Sequence, residues 1–219
     1  LLLDRFLDLA SRLLEHGVQD YIAKPFSTEE LLARIGGLVT SRRRTMAELA
    51  RSAARLRRLA EVVEKIAAVR KLPELMAIVR RAVRELTGAD GATLVLREDG
   101  QCHYVDEDAI GPLWKGQRFP MCACVSGWVM THGRAAVIED IYKDPRVPYE
   151  AYRPTFVKSL VMVPICKDAP IGAIGNYWAT RLRPTDDEMA LLQALADTTA
   201  VALENVRIYE QLKDSEERF

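Results

Sequence analysis

The residues with the greatest chemical reach in this chain are thiols and imidazoles. Cys122 and Cys124 stand one residue apart in MCACVSGW, and His103 and His132 flank them in sequence. Thiolate and imidazole ligands together suit zinc, iron or copper. A lone CxC pair is nevertheless a weak metal signal, so the leading expectation is unligated thiols lining or neighbouring a pocket, with no metal. A cysteine-based redox or metal sensor built on Cys122 and Cys124 is the alternative. Nucleophilic catalysis is not expected. The chain has no Walker loop and no GxSxG elbow; Ser126, before Gly127 and Trp128, reads as a helix N-cap; and His16, His103 and His132 lie far apart.

The composition is that of a folded globular chain. It has 219 residues, of which 49% are hydrophobic, enough for a packed core, and 31 basic residues balance 31 acidic ones. That balance gives no global field toward nucleic acid or a membrane surface. Apolar stretches such as Ser159–Cys166 are strand-sized, well short of the roughly 20 residues that span a bilayer. Four cysteines in a chain of this size point to reduced thiols and a cytoplasmic location. Residue 1 is Leu, and no signal-peptide cleavage site follows, so the chain is expected to be a segment of a longer polypeptide.

The elements that must position these residues follow from periodicity. Apolar residues at helical spacing predict a helix over Asp4–Glu15, then a strand over Val18–Ala23 broken by Lys24 and Pro25. A capping box of Ser27 and Glu30 opens a helix over Thr28–Val39. A second helical segment runs from Ser41 to about Lys71. In it Met46, Leu49, Ala53, Leu56, Ala60, Val63 and Ala67 form a heptad seam, with Leu59, Val62, Ile66 and Val69 as a stripe beside it. Further on, a helix over Glu74–Leu86 is followed by strands Ala92–Arg97 and Gln101–Asp106 around a turn at Glu98–Gly100. Then come a short helix Val125–His132, a strand Ala136–Ile138, a loop Asp140–Tyr152, and strands Ser159–Cys166 and Ala169–Ala179. Thr185, partnered by Asp187 or Glu188, caps a final helix from Asp186 to the C-terminus. Its seam of Leu195, Thr198, Ala202, Asn205, Tyr209, Leu212, Glu216 and Phe219 places Asn205 where a buried amide fixes the register of a parallel dimer. Leu191–Ala202 is expected to pack on the chain's own sheet. A parallel homodimer through 45–71 and 205–219 is predicted.

Three stretches carry resemblances. HGVQDYIAKPFSTEELLARI is similar to the C-terminal part of a response-regulator receiver domain, an α/β flavodoxin-like module. The resemblance implies a phosphoryl-contacting role for Lys24 and a cis bond between Lys24 and Pro25. The family's acidic pair and switch residue are not found; Leu1–Leu3 is taken as the fourth strand, or, as an alternative, Asp4 as a phosphoacceptor ending the third. Residues 72–204 resemble a GAF domain through LTGADGATLVL, CVSGWVMTHGRAAVIEDIYKDPRVP, YRPTFVKSLVMVPI, PIGAIGNYWA and DDEMALLQALADTTAVALENVRIYEQL. That implies an α+β fold, an antiparallel sheet with helices packed on one side, flanked here by long helices. LKDSEERF is similar to the junction before a PAS domain. The organisation so implied is a receiver remnant over 1–40, a linker helix over 41–71, the GAF domain over 72–204 and an exit helix over 205–219.

In the GAF resemblance a ligand lies over the sheet beneath the connection Phe119–Phe156. The lining candidates it implies are Cys122, Cys124, Trp128, Ile141, Tyr142, Tyr152, Phe156 and Tyr177. Arg153 is a candidate cation for an anionic ligand, or a partner for Asp140 or Asp144, and each aromatic is equally open to ordinary core packing. No cofactor is specified: the Cys-His dipeptide and Pro-rich motif of bilin-binding GAF domains are missing, and so is the Asn-Lys-Phe-Asp-Glu pattern of cyclic-nucleotide binders. A GAF enzyme acting on free methionine sulfoxide is disfavoured by the flanking helices. The function implied is a sensory and dimerising module of a two-component protein, with a histidine kinase as the expected output. A ligand-free structural spacer is the alternative.

Overall fold

The structure is a computed structural model and describes Asp20, Ile22 and residues 24–216. The expected helix Asp4–Glu15 lies outside the described residues, as does the expected strand Val18–Ala23 but for Asp20 and Ile22. The chain divides into two compact units, residues 1–55 and 56–219. In the first, Ser27 caps helix α1 (Thr28–Ala68) by accepting from the Glu30 amide at 3.1 Å. Arg34 pairs with Asp20 at 2.9 Å, and the Lys24–Pro25 bond is cis. The break expected between Val39 and Ser41 is absent, and α1 is continuous. Its junction residues Thr40 and Thr45 are accommodated within the helix, their hydroxyls donating back to the carbonyls of Gly36 and Ser41 at 2.8 Å and 3.2 Å.

The second unit is built on one antiparallel sheet. Helix α2 (Leu72–Thr87) has Pro73 in its first turn and ends at Gly88 in the left-handed region, φ 64°, whose amide caps the Arg84 carbonyl. Strands β1 (Gly91–Glu98) and β2 (Gln101–Ala109) form a hairpin whose tip, Asp99 and Gly100, has φ of 50° and 73°. Both positive angles match the turn that suits strand twist. There follow β3 (Arg118–Pro120), a single 3₁₀ turn (Met121–Ala123), α3 (Val125–His132) and β4 (Ala136–Ile138). After α4 (Tyr149–Tyr152) come β5 (Ser159–Ile165), β6 (Gly172–Trp178) and α5 (Asp186–Glu216). The strand order is β3-β2-β1-β6-β5-β4.

The two faces of the sheet have different cores. On one, Ala92, Leu94, Val161, Val163, Ile165 and Ile174 meet α2, α5 and the end of α1, where Ile66 is 1% exposed. On the other, Val95, Cys102, Tyr104, Leu160, Met162 and Tyr177 meet α3 and the 140–157 connection. β5 and β6 are buried along their whole length because both faces are covered. A bulge in β2 joins the two regimes. Leu94 pairs with Asp106 and Val95 with Tyr104, so Val105 is an extra residue, and the even-numbered positions change face across it. Cys102 and Tyr104 therefore point to the α3 side. Asp106 turns to the helix side, where it accepts from Arg80 of α2 at 2.8 Å and from Lys115 at 2.7 Å.

The heptad seam and the stripe beside it part company. Ile66 and Val69 are buried and Leu59 and Val62 pack against the same core, whereas the seam residues Met46, Leu49 and Leu56 are 59%, 62% and 60% exposed. In α5, Leu195 and Ala202 are buried as expected, and Tyr209 and Leu212 are exposed. Arg70, just past α1, lies over the Tyr209 ring at 4.7 Å. One groove is lined by Val63, Ile66 and Ala67 on α1 and by Thr198, Val201 and Asn205 on α5. With Arg70 beside Tyr209, this sets the two helices side by side and running in the same direction.

Candidate functional site

The α3 side of the sheet carries a buried cluster of aromatic, hydroxyl and thiol groups. Alternation on β2 brings Cys102 and Tyr104 to it, and β6 brings Tyr177. Gly175 makes room for the Tyr177 ring: a Cβ there would stand 2.5 Å from the Tyr177 hydroxyl and 2.9 Å from Thr93 Oγ1. The Tyr177 hydroxyl is 2.9 Å from that same Thr93 oxygen. Trp114, from the β2–β3 connection, packs its ring 4.5 Å from Tyr152, 5.5 Å from Tyr104 and 5.6 Å from Tyr177. Its indole N–H donates to the Ala151 carbonyl at 3.2 Å. These rings take up one another's contact surfaces, as in a packed core.

Above them α3 begins. Its N-cap is Cys124, not Ser126, which is the second residue of the helix and turns its hydroxyl inward, 3.2 Å from Tyr104 Oη and 3.1 Å from Cys124 Sγ. Gly127 is fixed by close approach. A Cβ there would lie 1.8 Å from the Met121 carbonyl oxygen, so the 3₁₀ turn can fold down onto the helix start only over a glycine. Cys102, 0% exposed, donates to Met121 Sδ at 3.4 Å, and Cys124, 6% exposed, reaches the Pro120 carbonyl at 3.6 Å.

The electrostatics of the two thiols diverge. The hydrogen bond from Cys102 pulls the Cys124 thiol down to about 6 despite burial, helped by Ser126 Oγ and by the backbone N–H groups of Ser126 and Gly127 at the helix start. Cys102 moves up, because the same bond favours its protonated form and burial adds to the effect. Burial likewise raises the phenols of Tyr104, Tyr152 and Tyr177. The Tyr152 hydroxyl is buried without a hydrogen-bond partner.

Of the expected lining residues, Cys124, Ile141, Tyr152 and Tyr177 come together in this interior, with Phe156 and Trp128 packed against its edge. The other three do not line it. Cys122 is exposed, because the 3₁₀ turn, unlike an extended segment, does not keep residues two apart on one side. Half-buried Trp128 also stacks on His132 at 4.5 Å and lies under the Arg146 guanidinium at 4.6 Å. Tyr142 is 44% exposed and accepts from Lys158 at 2.7 Å. Arg153 is exposed, and its expected partners are engaged elsewhere: Asp144 with Arg146 at 2.6 Å and Asp140 with Arg181 at 3.1 Å. His103 binds Glu98 at 2.9 Å. Among the described residues no group of three or more His, Cys, Asp and Glu side chains is placed to hold a metal ion.

Reading the sequence missed Cys102, Tyr104 and Trp114. The first two were available from alternation on the expected strand Gln101–Asp106; Trp114 sits in a connection with no periodic signal.

Comparison with known proteins places this arrangement. The family model described as GAF domain matches residues 69–204. Among solved structures, the GAF domain of a phosphoenolpyruvate-protein phosphotransferase from Coxiella burnetii superposes with TM-score 0.65 at 17% identity, covering 73% of this chain and 98% of that one. Free methionine-R-sulfoxide reductase from Neisseria meningitidis, in complex with its substrate, gives 0.63 at 18%, covering 72% and 92%. A methyl-accepting chemotaxis protein segment gives 0.58 at 18%, covering 67% and 97%. At these identities the likeness is one of fold. No curated protein sequence matches the chain.

Proposed function

The chain belongs to the GAF domain family, and from that premise we propose that it is a sensory and dimerising module of a two-component signalling protein. The observation that carries this reading is the course of α1 and α5. They lie side by side in the same direction at the helix-covered face of the sheet, and each extends past its packed part with apolar residues facing solvent. A change at the sheet is then felt by an incoming and an outgoing helix together, a two-state bias and not a chemical step. Two separate exposed stretches, Met46, Leu49 and Leu56 on α1 and Tyr209 and Leu212 on α5, are each offered to their counterparts in a second copy, in a parallel homodimer through 45–71 and 205–219. Receiver-like residues 1–40 upstream, with Lys24 as the family's phosphoryl-contact position, and a PAS and histidine kinase output downstream complete the proposal. No helix among the described residues is long and apolar enough to cross a membrane.

Sedimentation equilibrium tests the dimer. The chain is expected at twice its 24.6 kDa mass at micromolar concentration, and the double variant Leu49→Asp, Leu56→Asp at the single mass. Both leucines are exposed, so the variant leaves the packed core intact. A monomeric parent chain would sink the proposal.

The interlocked rings of Tyr104, Trp114, Tyr152 and Tyr177 favour a second reading, a dimerisation block without a small-molecule site. A metabolite panel that raises the melting temperature, or a co-purified compound seen by mass spectrometry, would decide for the sensory reading.

A further inference from the structure

Two of the four cysteines, Cys102 and Cys124, are buried in the same cluster, while Cys122 is exposed and Cys166 partly so. They come from parts of the chain that only the fold unites, the edge of β2 and the start of α3. Both thiols belong to one packed cluster. Cys102 Sγ donates to Met121 Sδ at 3.4 Å. Cys124 Sγ lies 3.1 Å from Ser126 Oγ, itself 3.2 Å from the hydroxyl of Tyr104, two residues along β2 from Cys102 on the same face. Around them stand a thioether, Met121 Sδ, and two hydroxyls, Ser126 Oγ and Tyr104 Oη. Met121 of the 3₁₀ turn touches Cys102, and Cys124 is 6% exposed against 0% for Cys102.

We propose that Cys102 and Cys124 form a reversible disulfide when the chain meets a small hydroperoxide, with Cys124 the attacking sulfur and Cys102 the resolving one. The Cys124 thiolate attacks the peroxide's terminal oxygen; the O–O bond breaks, the leaving oxygen takes a proton, and Cys124 becomes a sulfenic acid. The Cys102 sulfur then attacks the Cys124 sulfur. The S–O bond breaks, and water leaves with the Cys102 proton. Two thiols have lost two protons and two electrons, and the peroxide is reduced to an alcohol, or to water when it is hydrogen peroxide, with one further water released. The roles follow from position: Cys124 sits where backbone N–H groups converge at a helix start, and Cys102 lies deeper and keeps its proton. The bond ties the sheet to α3, so its formation restrains the turn at 121–123. It gives the sensory reading a chemical input. Only the transmission of that input rests on the reading; the sulfur chemistry is tested without it.

The experiment uses the whole chain, reduced and freed of reductant. It is treated with hydrogen peroxide in slight excess, unfolded, alkylated and mapped by mass spectrometry. The expected result is loss of two hydrogens and a peptide pair joined through Cys102 and Cys124, with Cys122 and Cys166 alkylated. Cys102→Ser is expected to abolish the link and leave Cys124 as a sulfenic acid captured by a 1,3-diketone. A cross-link through Cys122 or Cys166, or recovery of both buried cysteines as alkylated thiols, overturns the proposal. The mapping of the unsubstituted chain stands even if the variant fails to fold. Because it reads a covalent bond, its failure leaves the sedimentation test of the dimer untouched.

Discussion

At the scale of single residues, the interior of the α3 side separates hydroxyls that are satisfied from one that is not. Tyr177 Oη has Thr93 at 2.9 Å, whereas Tyr152 Oη is buried without a partner. An unmade hydrogen bond leaves a desolvation cost uncompensated, so Tyr152→Phe is expected to be neutral or to stabilise by about 1 kcal/mol. Tyr177→Phe, which strands Thr93, should cost about 1 kcal/mol. Paired denaturant melts check both, and a marked loss with Tyr152→Phe would show that its hydroxyl has a partner. The thiol of Cys124 predicts a pH profile. Its value in the folded chain is lowered from 9.0 to about 6, so the reactive thiolate is lost as pH falls through about 6 and is fully present above it. The rate of Cys124 alkylation, followed peptide by peptide, should reach half its plateau near that pH. This residue was visible in the sequence as a candidate, but its partner was not. Spacing in MCACVSGW pointed to Cys122, and only strand alternation combined with the path of the chain brings Cys102 instead.

At the scale of elements, the sequence was most informative where backbone chemistry is local. Gly133 closes α3 with φ 60°, and the hairpin turn and the start of α5 stand where residue types placed them. At the last, the Thr185 amide donates to Glu188 Oε2 at 2.8 Å while the Glu188 amide donates to Thr185 Oγ1 at 3.3 Å. Glu188, not Asp187, is thus the reciprocal partner, since only the third residue reaches back to the cap. Thr185→Ala should cost about 1 kcal/mol in thermal or denaturant unfolding. Illegible were β3 and the 3₁₀ turn, three residues each, too short for any period to register. Yet this stretch shapes the site, because Met121 rests on the Gly127 backbone. Gly127→Ala drives a methyl into the Met121 carbonyl and should destabilise by roughly 3 kcal/mol. A variant that melts with the parent chain would mean that the turn is not held against α3.

At the scale of the whole molecule, net neutrality conceals an uneven layout. The formal charge is +0, but Arg42, Arg43, Arg44, Arg51, Arg55, Arg57 and Arg58 crowd the middle of α1, with Glu48 the single acid between residues 41 and 58. In a parallel dimer these arginines are brought level with their own copies around the two helices, a repulsion that salt screens over about 10 Å at 0.1 M. Dimer affinity is therefore expected to rise with added salt, measured by sedimentation across a salt series; weakening would point to a partner of opposite charge in place of a second copy. The bulge in β2 also reaches beyond its own strand. It works like a shift of reading frame written into the protein: before Val105 the even positions spell the thiol and aromatic side of the sheet, after it the side that pairs with arginines. Deleting Val105 would close the ladder and leave every other letter on its present face, at the cost of one apolar contact. Deleting Glu107 keeps the bulge but moves Asp108 and Ala109 across the sheet. Of two shortenings two residues apart, the fold is built to survive the first.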